Sequence, residues 1–174
     1  MNAHLSTSRI QQVILFLIMI GLFSCQEAKI ESSTEGLSVK IENSSGDDFS
    51  YGDPDSPQYF APYPFNHGNL MIDNKSYEVM ILSKKVNKGK TIHVKPLGKM
   101  TVSNANRKDT DVIVAIPSDA ELEIAEIKDF FDFGITQFGL KQMVEYWYSN
   151  RYGLDGSVIK GWEPVAIEDF IAGN

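Results

Sequence analysis

The chain has 174 residues, of which 43% are hydrophobic, and its formal net charge is −7 at pH 7. This hydrophobic share is typical of a folded globular protein and excludes an intrinsically disordered chain. The acidic excess disfavours nucleic acid and anionic membrane surfaces, so no nucleic-acid partner is predicted.

The first 24 residues have the layout of an export signal. A polar start with one basic side chain, Arg9, is followed by the unbroken apolar run VILFLIMIGLF at 13–23. Charge, a short apolar core and a small residue before the cleavage point are typical of a secretory signal. Because the run is shorter than the roughly 20 residues that span a bilayer, a permanent anchor helix is not expected.

The signal ends in LFSC at 22–25, which resembles the lipobox of bacterial lipoproteins. The resemblance implies that Cys25 becomes the lipidated N-terminus and anchors the exported protein to a bacterial membrane, facing the periplasm or the cell surface. Cys25 is the only cysteine in the sequence, which excludes an intrachain disulfide or a cysteine-based zinc site. Without the signal, 150 residues remain, with 15 basic and 23 acidic side chains, enough for one domain with a core.

The segment 25–55 is predicted to be a tether, because it is rich in Ser, Glu, Asp and Gly. Within it, only the alternation at 37–41 indicates a strand. The domain is predicted to occupy 56–174. It opens with an aromatic and Pro-rich stretch at 59–65, which is predicted to be irregular.

The predicted domain places strands first and helices last. Strands are predicted at four short segments that are apolar or rich in β-branched residues: 77–82, 91–94, 112–116 and 158–162. Apolar residues at helical spacing predict a helix over 136–149. Pro164, at a favourable early position, predicts a second helix over 163–172. This order favours an antiparallel sheet or barrel flanked by helices.

Three segments, taken in order, resemble the soluble inorganic pyrophosphatases. YPFNHG at 63–68 is similar to the family's Y-P-x-N-Y-G. KPLGKM at 95–100 with DVIVAIP at 111–117 is similar to R-P-[IV]-G-V-[LM] followed by an acidic loop and K-[IL]-[IV]-A-V-P. EYWY at 145–148 and GWE at 161–163 are similar to the E-x-[YW] helix and the G-W strand end. The resemblance implies an oligonucleotide-binding-type antiparallel β-barrel with helices outside, truncated at its N-terminus.

The resemblance also implies a function. Members of this family are inorganic diphosphatases, hydrolases that split pyrophosphate into two phosphates with Mg²⁺ ions held by carboxylates. The metals activate water and neutralise the charge of the transferring phosphoryl group. The implied partner is pyrophosphate or another small anion, and no residue is assigned a catalytic role. The implied site residues are the metal ligands Asp73, Glu78, Asp109 and Asp111 and the substrate-binding residues Asn66, Lys75 and Tyr148.

The implied metal site departs from the family pattern at its centre. The family motif D-G-D-x-x-D reads DNKSYE at 73–78, so that Lys75 replaces the acid that binds metal and orients water. A cation about 4 Å from Mg²⁺ is repelled by roughly 8 kcal/mol at an effective dielectric constant near 20. Thr110 and Val112 stand at the family's later acid and its substrate lysine. Two interpretations follow: a membrane-anchored Mg²⁺-dependent pyrophosphatase, or a non-catalytic binding or structural lipoprotein, which these residues favour.

Overall fold

A computed structural model describes residues 36–53, 56–60, 62–72, 75–104, 107–151 and 157–171. The predicted signal, its lipidation site Cys25 and the predicted metal ligand Asp73 lie outside these residues. Residues 32–174 form one compact unit. Within the described ranges, no helix combines the length and the apolar composition that crossing a membrane requires.

The described residues form eight strands, one 3-10 helix and three α-helices. The strands are β1 (Leu37–Asn43), β2 (Phe49–Asp53), β3 (Ser56–Phe60), β4 (Asn66–Ile72), β5 (Lys75–Ile81), β6 (Thr91–Asn104), β7 (Arg107–Pro117) and β8 (Ser157–Pro164). The helices are the 3-10 turn Ala120–Leu122, α1 (Phe130–Ile135), α2 (Phe138–Asn150) and α3 (Glu168–Ile171).

Six strands form the main sheet, in the order β1-β4-β5-β7-β6-β8, and β1 pairs with β6 as well. This extra pairing closes β1, β4, β5, β7 and β6 into a five-stranded ring. The pairings are antiparallel except that between β5 and β7. A five-stranded barrel with this connectivity is the oligonucleotide-binding type of fold. The predicted fold class is therefore confirmed.

The N-terminal part of the domain is more extensive than the sequence indicated. Strand β1 belongs to the ring, and its alternation buries Val39 and Ile41 completely or nearly so. Strands β2 and β3 pair over five residues each, from Phe49 with Phe60 to Asp53 with Ser56. The predicted tether over 25–55 is therefore corrected, because 37–53 lies within the domain. The prediction of an irregular stretch is corrected at 59–60, which lies in β3.

The later elements match their predictions, with one exception. Strands β6, β7 and β8 contain the strands predicted over 91–94, 112–116 and 158–162, and β5 contains all but the last residue of the strand predicted over 77–82. Helix α2 corresponds to the helix predicted over 136–149. Strand β6 continues through Pro96, where a register shift in the pairing with β7 accommodates the missing N–H. The helix predicted over 163–172 is shorter, because Glu163 and Pro164 pair with β6 as the end of β8.

Two hydrophobic cores lie on opposite faces of the strands. The ring interior contains apolar residues from all five of its strands, including Val39, Val79 and Ile113. The outer core packs Met80 and Val112 against residues of α1 and α2. Because successive side chains of a strand alternate between faces, neighbouring polar residues on β5 and β7 are directed to different cores. This alternation decides where the predicted site residues lie.

Candidate functional site

Glu78 lies on the outer face of β5, beneath α2. One carboxylate oxygen, Oε1, is contacted by three side chains. His67 Nε2 lies 3.0 Å from it, the Tyr148 hydroxyl donates to it at 2.9 Å, and Arg151 donates to it at 2.5 Å. The predicted metal ligand Glu78 and the predicted substrate residue Tyr148 are therefore adjacent. Their contact is a direct hydrogen bond within the protein.

Glu78 is ionised at neutral pH in this environment. Burial by itself raises the pKa of the carboxyl group, but the hydrogen bond from His67 and the charge of Arg151 outweigh it and hold the pKa at about 2. Burial and the neighbouring Glu78 charge raise the pKa of Tyr148 well above its usual value. Glu78 is thus a paired anion, and Tyr148 is a neutral donor to it.

Aromatic and apolar side chains surround this cluster. Tyr148 and Val112 are completely buried, and Val112 lies opposite Glu78 in the pairing of β5 with β7. Trp147 is 4% exposed, and its ring centroid lies 4.8 Å from that of Tyr63 and 5.2 Å from that of Phe49. The resemblance in sequence predicts a substrate lysine of the family at the position of Val112. The space next to Glu78 is therefore part of a packed core.

Asn66, predicted to bind substrate, uses its whole side-chain amide inside the protein. Its Nδ2 donates to Ser83 Oγ and to the Lys84 carbonyl, both at 2.7 Å. Its Oδ1 accepts the backbone N–H groups of Ser45 at 3.1 Å and Val86 at 3.0 Å. Two donated and two accepted bonds fill the capacity of an amide. Asn66 therefore fastens the segments that follow β1 and β5.

Two other predicted residues, Lys75 and Asp111, belong to a row of alternating charges on the opposite face of the strands, together with Lys99 and Glu163. Lys75 Nζ and Lys99 Nζ lie 3.3 Å and 3.9 Å from the same Asp111 oxygen, Oδ2. Lys99 Nζ also lies 2.6 Å from Glu163 Oε1. The Thr101 hydroxyl donates to the second Asp111 oxygen at 3.1 Å. Hydrogen bonds to Tyr77 and Asp111 raise the pKa of Lys75, and that to Glu163 raises the pKa of Lys99.

The structure thus separates the predicted ligands into groups. Glu78 lies on the outer face with Tyr148, whereas Asp111 lies with Lys75 on the inner face. Asp109 is exposed, and its carboxylate pairs with Lys160 of β8 at 2.8 Å. The sheet alternation is the physical reason, since Val112 and Asp111 are neighbours on one strand and their side chains point to opposite faces.

The described residues do not fit a Mg²⁺ site. Among them, no group of three His, Cys, Asp or Glu side chains is arranged to hold a metal ion. The predicted ligands Glu78, Asp109 and Asp111 each have a lysine or arginine within 4 Å. Mg²⁺ is normally held by carboxylates with near-octahedral geometry. Here a protein cation is already present at each carboxylate.

Arg151 is the main site residue that the sequence did not reveal. It follows the last residue of α2, three positions after Tyr148, and its guanidinium carbon lies 4.4 Å from the Tyr148 ring centroid. A basic residue one helical turn after Tyr148 was the available signal. Its partner Glu78 is 73 residues away in sequence. The pair can therefore be identified only from the folded structure.

Comparison with known proteins gives a consistent family and fold. Residues 26–167 match the family model described as inorganic pyrophosphatase. A comparison with curated proteins gives no match. Among solved structures, the chain is similar to the inorganic pyrophosphatase from Thermus thermophilus. The TM-score is 0.60 at 17% identity, over 82% of this chain and 91% of that chain.

Two further solved structures give similar values. The inorganic pyrophosphatase from Helicobacter pylori has a TM-score of 0.55 at 16% identity, over 84% of this chain and 94% of that chain. That from Schistosoma japonicum has a TM-score of 0.62 at 16% identity, over 82% of this chain and 64% of that chain. These similarities establish the fold, and the family model covers most of the sequence. The chain therefore belongs to the inorganic pyrophosphatase family.

Proposed function

We propose that this protein is a non-hydrolysing member of its family, exported and anchored to a bacterial membrane through a lipid on Cys25. In this proposal it binds pyrophosphate or another small anion with lysine side chains instead of metal ions. One observation carries the proposal: Glu78, a central ligand position, is paired with Arg151 beneath the buried Tyr148.

The energetics of the Glu78 pair disfavour metal binding. A Mg²⁺ ion at Glu78 Oε1 would have to displace the Arg151 guanidinium, whose side chain is 6% exposed. Separating a buried ion pair costs about 3–5 kcal/mol, because the remaining charge is left without its partner. The incoming ion would also have to open the core around Tyr148. Both requirements oppose the Mg²⁺ dependence that is typical of the family.

In this proposal, lysine side chains supply the positive charge that metal ions supply in other members of the family. Lys75 stands at the position of a family metal ligand and pairs with Asp111. Its side chain is 57% exposed, and that of Lys160 is 54% exposed. An anion in solution can reach both ammonium groups. This exposure supports an anion-binding role that needs no metal.

The family match favours one alternative function, the Mg²⁺-dependent hydrolysis of pyrophosphate. In that alternative, Asp73, Glu78, Asp109 and Asp111 bind the metal ions. It requires the ion pairs at Glu78, Asp109 and Asp111 to open in the presence of the metal. The two functions differ in a single measurable quantity, the rate of phosphate release.

The full-length protein, purified in detergent with millimolar Mg²⁺, is expected to release phosphate from pyrophosphate far more slowly than about 1 s⁻¹, the low end of ordinary enzyme rates. The Asp73→Ala variant is expected to give the same background. A colorimetric phosphate assay measures both rates. Turnover above about 1 s⁻¹ that disappears in Asp73→Ala would establish the hydrolase instead.

Lipidation is tested separately. Mass spectrometry of the N-terminal peptide is expected to show cleavage before Cys25 and a lipid mass on its thiol. Cys25→Ser is expected to abolish this added mass, because serine has no thiol to modify, while Ser24→Ala retains it. Several acyl chains give stable membrane anchoring. An unmodified Cys25 in the wild-type protein would refute the anchoring part of the proposal.

A further inference from the structure

A cavity of about 560 Å³ opens beside the row of charges, between β5, β6, the end of β8 and α3. Its polar lining comprises Lys75, Lys99, Glu163 and Asp169, and two aromatic rings, Tyr77 and Phe170, form part of its wall. We propose that this cavity binds a small zwitterion with an apolar side group, of the class of hydrophobic dipeptides. The inference deepens the proposed function, since it assigns a ligand class to the lysines.

The two lysines define the anionic end of the ligand. Both ammonium groups lie within 4 Å of Asp111 Oδ2, so a single carboxylate oxygen already bridges them. A ligand carboxylate can take the same bridging position. Asp111 would keep its hydrogen bond from Thr101 during this exchange. Charge-assisted hydrogen bonds of this kind are stronger than neutral ones.

The two acids define the cationic end. Glu163 is 58% exposed, and its present partner is Lys99. When a ligand carboxylate binds the Lys99 ammonium group, the Glu163 carboxylate becomes available to a ligand ammonium group. Asp169, which accepts the Ala166 N–H at 2.7 Å, adds a second carboxylate to the lining. Because these carboxylates lie beside the lysines, a ligand that carries both signs of charge fits this cavity better than a ligand that is only anionic, pyrophosphate included.

The aromatic wall accounts for the apolar group. The rings of Tyr77 and Phe170 meet edge to face, with centroids 5.9 Å apart. Ile72 and Val165 extend this apolar lining. Small-molecule sites typically combine such walls with a few placed polar groups, in volumes of about 300–1,000 Å³. A phenyl group on the ligand would rest against this wall while its charged ends reach the row of charges.

Isothermal titration calorimetry of the full-length protein in detergent tests the proposal, with glycyl-phenylalanine as the probe. The matched probes are its N-acetyl form, which is only anionic, its C-terminal amide, which is only cationic, and pyrophosphate without metal. The zwitterion is expected to bind at least about fivefold more tightly than any of the three. Lys75→Gln is expected to weaken its binding about tenfold. Lys88→Gln, at the exposed turn before β6, is the control and is expected to leave binding unchanged.

Thermal unfolding shows that each variant is folded, and NMR shift changes on titration are expected at Tyr77 and Phe170. Absence of heat and of shift changes up to about 10 mM probe would overturn the proposal. Equal affinity for a capped form, or tighter binding of pyrophosphate, would also overturn it. Phosphate release is a separate readout, so active hydrolysis would refute the proposed function without altering the dipeptide result.

Discussion

Replacing Arg151 with alanine is expected to destabilise the protein by about 3–5 kcal/mol, the typical cost of removing one partner of a buried ion pair. The Glu78 carboxylate would remain buried, with His67 and Tyr148 as its partners among the described residues. Urea denaturation followed by circular dichroism measures the free energy of unfolding. Lys128→Ala is the matched control, because Lys128 forms an exposed pair with Glu126, and it is expected to change stability little.

Adding a second substitution, at Glu78, tests whether the stability lost in Arg151→Ala has an electrostatic cause. In the double variant that combines Arg151→Ala with Glu78→Gln, the buried carboxylate is replaced by a neutral amide, which needs no cation beside it. We therefore expect the double variant to recover part of the stability that Arg151→Ala loses. A double variant as unstable as the sum of the two single variants would contradict the ion-pair explanation, since interacting residues are non-additive.

The same pair predicts a dependence of stability on pH. The pKa of Glu78 is lowered from its ordinary 4.5 to about 2 in the folded protein. A lowered carboxyl pKa stabilises the fold above the unfolded value, and this contribution is lost as pH falls from about 5 towards 2. A shift of this size corresponds to about 3 kcal/mol. Glu78→Gln is expected to flatten this part of the profile, measured as unfolding free energy against pH.

Asn66→Ala is expected to destabilise the protein by about 3 kcal/mol, because one buried and two part-buried backbone groups lose their hydrogen bonds, and an unsatisfied buried group costs about 1–3 kcal/mol. The orphaned groups are the N–H groups of Ser45 and Val86 and the carbonyl of Lys84. Denaturant unfolding gives the magnitude. The matched control is Asn69→Ala on the same strand, where the amide makes an exposed hydrogen bond to Glu42.

The comparison of Asn66 with Asn69 distinguishes a structural role from a binding role. If the amide of Asn66 serves only to stabilise the fold, Asn66→Ala will lose several-fold more stability than Asn69→Ala. Similar stability of the two variants, with anion binding lost only in Asn66→Ala, would instead support the substrate-binding role implied by the sequence. The complete use of its donors and acceptors within the protein favours the first result.

Much of the fold was predictable because its signals are local. The alternation at 37–41 and the apolar strands at 77–82 and 112–116 identified members of the barrel ring, and helical spacing identified α2. The three segments that resemble the family motifs, in their order along the chain, predicted the fold class. The hairpin of β2 and β3 was missed because its Ser-, Gly- and Asp-rich composition is also typical of a linker. Residues that pair across these two strands, such as Phe49 and Phe60, are separated in sequence. Composition alone therefore does not indicate which residues pair.

The amino-acid sequence by itself determined which charges this site contains. Through its resemblance to the family motifs, it predicted Lys75 in place of a family acid and Val112 in place of a family lysine, and it predicted Glu78 and Asp111 as metal ligands. Only the tertiary structure decided how those charges are paired. Because side chains alternate along a strand, Glu78 faces α2 and meets Arg151, whereas Asp111 faces the lysines. These contacts join residues far apart in sequence, so they exist only once the barrel has closed and α2 has packed against it.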